Sequence, residues 1–258
     1  MTNFENVTVD VSGAIATISL NRPHRLNALS RALLADIVAV SNWLSENDDL
    51  RVVVVRGSGG NFSAGFDLDD FASVDPSSSP RDSADLGRRA TEALAGVPQI
   101  TIAAVEGHCV GGGVVLVGAC DLRYASTTAK FRIPEVDLGI PLAWGGIPRL
   151  VREIGPALTK ELVLTCRPFD AAEAVGIGFL NAVVAPDDLD GRVNAVAEEL
   201  AAKPRYALRT TKEQVEAVMN DIASTARNTT DADVLAYALR DPESREVSKR
   251  YLAERRRS

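Results

Sequence analysis

Residues 98–121, PQITIAAVEGHCVGGGVVLVGACD, constrain the fold of this chain more than any other stretch. Ile100 to Val105 is a β-branched and apolar run bounded by Pro98 and Gly107, the pattern of a buried strand. The pattern breaks at Gly107 and at Gly111-Gly112-Gly113, and Val114 to Cys120 then runs apolar up to Asp121. Strand, glycine turn and an all-round apolar helix imply a buried helix whose N-terminus points into a cleft. The first backbone N–H groups of a helix have no acceptor within it, and glycines place no side chain between those donors and a visiting atom. Such a turn suits an oxygen that carries or develops negative charge. It equally suits a close approach of helix and strand, and the triplet alone leaves both open.

Composition narrows the class. A chain of 258 residues can bury a full core in one or two domains, and 46% hydrophobic with 24% charged residues is the balance of a soluble globular protein. The net charge of −7 argues against bulk nucleic-acid binding. An anionic ligand would need a local basic patch, for which Arg22, His24 and Arg25 are candidates. Arg255-Arg256-Arg257 is expected to be a solvated tail. Cys109, Cys120 and Cys166 lie in apolar surroundings and are odd in number, as reduced core residues of a cytoplasmic protein would be. No N-terminal signal pattern is seen, and the glycine-rich run 110–120 is too short to span a bilayer, so no membrane role is expected.

Taken in order, Val7–Val11 and Ala14–Leu20 flank Ser12-Gly13 and predict a hairpin. Ser30 is a good N-cap for a helix from Arg31 to about Glu46. Val52–Val55 is a strand buried on both faces, as in a parallel sheet. The glycine-rich loop GSGGNFSAGFDLDDF follows, and residues 75–81 are expected as a surface loop or lid. A helix is expected over Asp82–Ala95, short strands over Leu122–Ala125, Lys130–Ile133 and Asn181–Val184, and helices over Ile147–Ile154, Pro156–Thr165 and Ala171–Val175. A strand-turn-helix unit recurs three times before residue 130. From Leu189 the pattern is helical only, with no sheet left to cover. The expected division is a mixed α/β core over 1–187 and a helical region over 188–258.

Two loops leave strands, carry glycines and enter helices: 63–68 (SAGFDL) and 107–113. N–H donors converging from two such turns would form an oxyanion hole. With these loops, the blocks LNRPHRLNALS, VVVVRGSGGNFSAGFDLDDF, AAVEGHCVGGGVVLVGACDLRYAS, FRIPEVDLGI and RPFDAAEAVGIGFLNAVV resemble the crotonase, or enoyl-CoA hydratase/isomerase, superfamily over nearly the whole chain. The resemblance implies a spiral of β-β-α turns with a C-terminal helical region that forms a homotrimer, or a hexamer of two trimers. It implies an acyl-CoA thioester substrate whose enolate oxygen is held by the N–H groups of Phe66 and Gly112. By the same resemblance Ala28, Ala64 and Leu68 lie near the adenine and pantetheine, and Arg25 stands where a basic residue meets the phosphates. Coenzyme A arrives with the substrate, and no other cofactor is implied. Asp67 is expected as a helix N-cap, and DLDDF lacks the later Gly and Glu of a calcium loop, so no metal is expected.

The acid–base positions separate the family's reactions. Its hydratases use two glutamates, one two residues after the glycine triplet and one after the proline of the later strand. The second is Glu135, but the first position holds Val115. A valine neither holds water nor carries a proton, and losing a positioned acid or base costs on the order of 10²–10⁴ in rate. One carboxylate suffices to move a proton from C2 to C4 of a 3-enoyl thioester, so the Δ3,Δ2-enoyl-CoA isomerase pattern fits better. Aspartates used by other family isomerases and dehalogenases would fall near Val115 and Ala143, where no carboxylate stands. Trp144 is expected to wall the acyl pocket. Alternatives are a hydratase with an incomplete glutamate pair, a non-catalytic acyl-CoA-binding protein, and a serine hydrolase. The last would use Ser63 in a near-match to a nucleophile elbow that lacks its first glycine, with His24 or His108 as base.

Overall fold

The computed structural model describes residues 4–72 and 80–255. Strands β1 (Val7–Ser12) and β2 (Ile15–Leu20) pair antiparallel with Ser12 opposite Ile15. The turn is therefore Gly13-Ala14, one residue later than Ser12-Gly13, because it is Gly13 that takes the left-handed conformation, φ 58°. Strands β3 (Val52–Gly57) and β4 (Ile100–Val105) add to β2 in parallel. A second, three-stranded sheet includes β5 (His108–Val110). Strand β6 (Leu122–Ser126) continues the first sheet, and β7 (Lys130–Arg132) and β8 (Phe169–Asp170) flank each other in the second. Strand β9 (Ala182–Val184) completes a six-stranded sheet in the order β1-β2-β3-β4-β6-β9.

Both faces of the large sheet are covered, which is why Val52–Val55 is continuous valine and β4 carries no charged residue. Val53, Val55, Ala103 and Val105 face a core that includes helices α1 (Arg31–Ser45), whose Ser30 side chain accepts from Leu33 N–H at 3.2 Å, and α4 (Gly112–Val117). Helix α2 (Leu68–Ala72) follows the first loop, and α3 (Pro80–Ala95) packs on α1. The expected loop over 75–81 lies outside the described residues except for Pro80 and Arg81, which already belong to α3. Helix α5 (Gly146–Thr165) is broken at Gly155 (φ 75°, ψ 167°), where two separate helices were expected. Helix α6 (Ala171–Gly176) leads to β9.

Val52, Val54, Ile102 and Tyr124 on the opposite face pack against Leu189, Val193 and Ala197 of α7 (Leu189–Ala201). The expectation that the helical tail has no sheet to cover is therefore wrong for its first helix. Helix α8 (Arg205–Ile222) buries no residue and presents Tyr206 and Ile222 at 81% and 70% exposure. Helices α9 (Asp231–Ala238) and α10 (Pro242–Arg255) return to the body, with α9 on α3 and the Ser248 hydroxyl of α10 donating to Leu138 O at 2.5 Å.

Asp121 ties α8 to the sheet. Its carboxylate accepts from Thr101 N–H (2.7 Å), the Thr101 hydroxyl (2.9 Å) and Lys212 Nζ (2.8 Å). Hydrogen bonds to a charged group are worth about 1.5–3 kcal/mol. Asp121→Ala should lower the unfolding free energy by about 2–3 kcal/mol in urea denaturation, while the exposed Asp187→Ala should stay within about 0.5 kcal/mol of the parent.

Candidate active site

The two glycine loops are stitched side by side by backbone hydrogen bonds. Ser63 N–H donates to His108 O (2.8 Å) and Val110 N–H to Ser63 O (3.0 Å), making Ser63 and Cys109 a parallel bridge between loops. The loop before α1 clamps the other side: Leu29 N–H donates to Gly65 O (2.8 Å) and Asp67 N–H to Leu29 O (3.2 Å). Buried Asn27 fastens that clamp, its Nδ2 donating to Ser58 O and Asn61 O at 2.8 and 2.7 Å. Gly111 (φ 51°, ψ −116°) turns the chain out of β5 while its N–H donates to Arg132 O at 2.8 Å. Only glycine takes that conformation without strain. Gly112 is then the first residue of α4, so its N–H has no acceptor within the helix.

Phe66, from the first loop, and Gly112, from the second, line one cavity of about 100 Å³. Val115, Leu142 and Trp144 add apolar wall, and Leu235 and Leu239 at the C-terminal end of α9 and just beyond it complete it. Helix α4 starts two residues earlier and ends sooner than the apolar run Val114–Cys120 implied, because the glycines themselves enter the first turn. Glu135 follows Pro134 in the turn after β7. The residue as a whole is half-buried, but its carboxyl end turns inward: a Cβ on Gly111 would come within 2.5 Å of Oε1, and Oε2 is covered and without a hydrogen-bond partner. Loss of hydration pushes this carboxyl from 4.5 up to about 7, with only a weak opposing backbone hydrogen bond. Val115 lies one helical turn beyond Gly112, 2% exposed. Among the described residues the wall thus has one carboxylate, Glu135, and one cation, Arg31.

The structure brings Phe66, Gly112 and Glu135 together. Arg25, Ala28, Ala64 and Leu68 line no part of this cavity; they stand on the neighbouring segments 22–30 and 63–68, joined by Ala64 N–H to Leu26 O at 2.9 Å. The Arg25 guanidinium is paired with Asp69 and, at 3.5 Å, with Asp67. Asp67 accepts from Asp69 N–H (3.0 Å) as an N-cap does, and also pairs with Arg22 at 2.8 Å. Those contacts hold its carboxyl below the usual range although burial works the other way. Ser63 is fully buried and its hydroxyl donates to Asn27 O at 2.9 Å, so it is a loop fastener and the serine-hydrolase reading falls. No cluster of three metal-ligating side chains occurs among the described residues. Arg31, Leu235 and Leu239 were not singled out from the sequence: Arg31 reads there only as the first residue of a helix, and the leucines as helix packing.

Comparison with known proteins identifies the family. Residues 10–258 match the profile of the enoyl-CoA hydratase/isomerase family. The chain is 32% identical to a crotonyl-CoA hydratase of Syntrophomonas wolfei, over 92% of each chain. It is 34% identical to a peroxisomal Delta(3,5)-Delta(2,4)-dienoyl-CoA isomerase of Arabidopsis thaliana, over 81% of this chain and 79% of the other. It also superposes on a Thermobifida fusca structure described as an enoyl-CoA hydratase in complex with acetoacetyl-CoA, with TM-score 0.77 and 34% identity over 90% of this chain and 95% of that one. Relatives named as hydratases and isomerases displace the reading as a non-catalytic binding protein. The chain belongs to the enoyl-CoA hydratase/isomerase family, has the crotonase fold, and is an enzyme of that family.

Proposed function

We propose that this enzyme is a Δ3,Δ2-enoyl-CoA isomerase with Glu135 as its single acid–base residue. The observation that carries the reading is the pairing of a desolvated Glu135 carboxyl with an apolar Val115 in one cavity. The thioester oxygen sits between the N–H groups of Phe66 and Gly112, where developing negative charge is stabilised. Ionised Glu135 takes a proton from C2 of the 3-enoyl thioester. The resulting dienolate spreads its charge over the oxygen, C2 and C4, and the same carboxyl returns the proton at C4 to leave the 2-enoyl product. A carboxyl near 7 is balanced between taking and giving a proton at neutral pH. The chemistry calls for no cofactor beyond the coenzyme A of the substrate. The crotonyl-CoA hydratase relative favours a second reading, hydration of a 2-enoyl thioester; Val115, which cannot orient a water, weighs against it.

The same reading places the adenine and pantetheine along Ala28, Ala64 and Leu68, with Arg25 exchanging Asp69 for a phosphate. A homotrimer or hexamer is supported by the outward apolar residues of α8, Tyr206, Val215, Val218 and Ile222. Three buried free cysteines support a cytoplasmic location, and no helix among the described residues is long and apolar enough to cross a membrane.

Glu135→Gln should lower turnover of a 3-enoyl-CoA by about 10²-fold or more with little change in thioester affinity, and kcat/KM of the wild type should rise as pH passes through about 7. Val115→Glu should raise hydration of crotonyl-CoA. Stability supplies an independent check. A carboxyl whose pKa is raised by folding binds its proton more tightly in the folded state, so ionising it costs stability. Relative to Glu135→Gln, the wild type should therefore lose stability as pH rises from 4.5 to 7, by about 3 kcal/mol in all. Urea denaturation at pH 5 and pH 8.5 reads that difference, and a gap that does not change with pH would contradict it.

A further inference from the structure

Trp144 touches both residues of the oxyanion pair. Its ring lies so close over Gly112 that a Cβ there would overlap it, and it meets the Phe66 ring edge to face at 5.8 Å and 89°. The far side of the indole fills a second gap, at Gly87 of α3, where a Cβ would also overlap the ring. The ring is therefore held in a slot between two helices, α3 and α4, and any rotation or withdrawal would move Phe66 or free the start of α4.

The backbone that delivers this ring is in a conformation that a tryptophan rarely takes. Trp144 has φ 60° and the following Gly145 φ 73°, two left-handed residues in a row. Non-glycine residues persist in that region only when their surroundings over-determine them. Two contacts do so here. The Thr91 hydroxyl of α3 lies 2.9 Å from Trp144 O, the nearest of the three carbonyls within its reach. Gly145 N–H donates to the Asp231 carboxylate at 2.8 Å. Asp231 is the first residue of α9, and the same first turn of that helix is joined to α3 by the Arg81–Asp233 ion pair at 2.8 Å.

We infer that Trp144 is a positioning residue for the oxyanion pair and that Asp231, from the C-terminal helices, sets it. The inference goes beyond a wall for the acyl chain: α9 governs the geometry of Phe66 and Gly112 through Gly145 and the indole. It rests on the proposed enolate chemistry for its kinetic arm only.

The protein has two tryptophans, Trp43 and Trp144, so a Trp43→Phe background leaves Trp144 as sole reporter. In that background Asp231→Ala should shift the Trp144 emission to the red. It should lower kcat on a 3-enoyl-CoA about tenfold or more, with KM within about threefold. Asp231→Asn keeps a side-chain oxygen to accept from Gly145 N–H and should restore both emission and kcat. Emission and kcat at parental values in Asp231→Ala would overturn the inference. So would an Asn variant as impaired as the Ala variant, or a rise in KM with kcat unchanged. If the parent turns over no 3-enoyl-CoA, the isomerase reading fails separately. The emission shift, its rescue by Asn and an unchanged affinity for butyryl-CoA would then support the clamp, and their absence would overturn it.

Discussion

The Glu135 carboxyl is held out of water against the Gly111-Gly112 turn, and the rest of the site is arranged around that contact. An unpaired carboxyl is costly to ionise in an apolar cavity, and proteins usually pair such a group or keep it neutral. Here its Oε2 has no hydrogen-bond partner, and no side chain at Gly111 separates Oε1 from the backbone. The cost is tolerable because two buried sheet faces and a well-bonded loop pair secure the fold around it. In the proposed reaction the gain is a proton acceptor that works near neutral pH beside amide N–H groups placed to hold an enolate oxygen.

Much of this was legible in the chain because its strongest signals are local. Val52–Val55 reads as a strand of a parallel sheet and Ile100–Val105 as a buried strand, and both are so placed; Ser30 announces α1 by its side chain. The glycine loops were legible because unusual backbone conformations demand glycine. What escaped was non-local or too short to carry a period. Strands β5 and β8 have three and two residues and exist only through pairing with β7. Helix α7 shows an apolar stripe in sequence, but nothing local says that Val52 and Ile102 lie beneath it. Arg31, Leu235 and Leu239 look like ordinary helical residues until the fold brings them to one cavity.

The C-terminal region is more intimately part of the site than a separate oligomerisation element would be. Helix α8 stays outward and exposes Tyr206, Val215, Val218 and Ile222, as a surface awaiting a neighbour would. Beyond it the chain returns, and residues from α9 onward meet the cavity wall and the Trp144–Gly145 turn. Of the tail helices, α7 therefore covers the sheet, α8 faces outward and α9 lines the cavity.

The central claim is that one carboxylate moves a proton and none directs a water. Incubation of the wild-type enzyme with a 3-enoyl-CoA and, separately, with the matching 2-enoyl-CoA, followed by NMR of the acyl products, tests it most directly. The account predicts that the 2-enoyl thioester accumulates from the 3-enoyl substrate at an enzymatic rate, while 3-hydroxyacyl-CoA forms far more slowly from either. A 3-hydroxyacyl thioester as the dominant early product from the 2-enoyl substrate would contradict it.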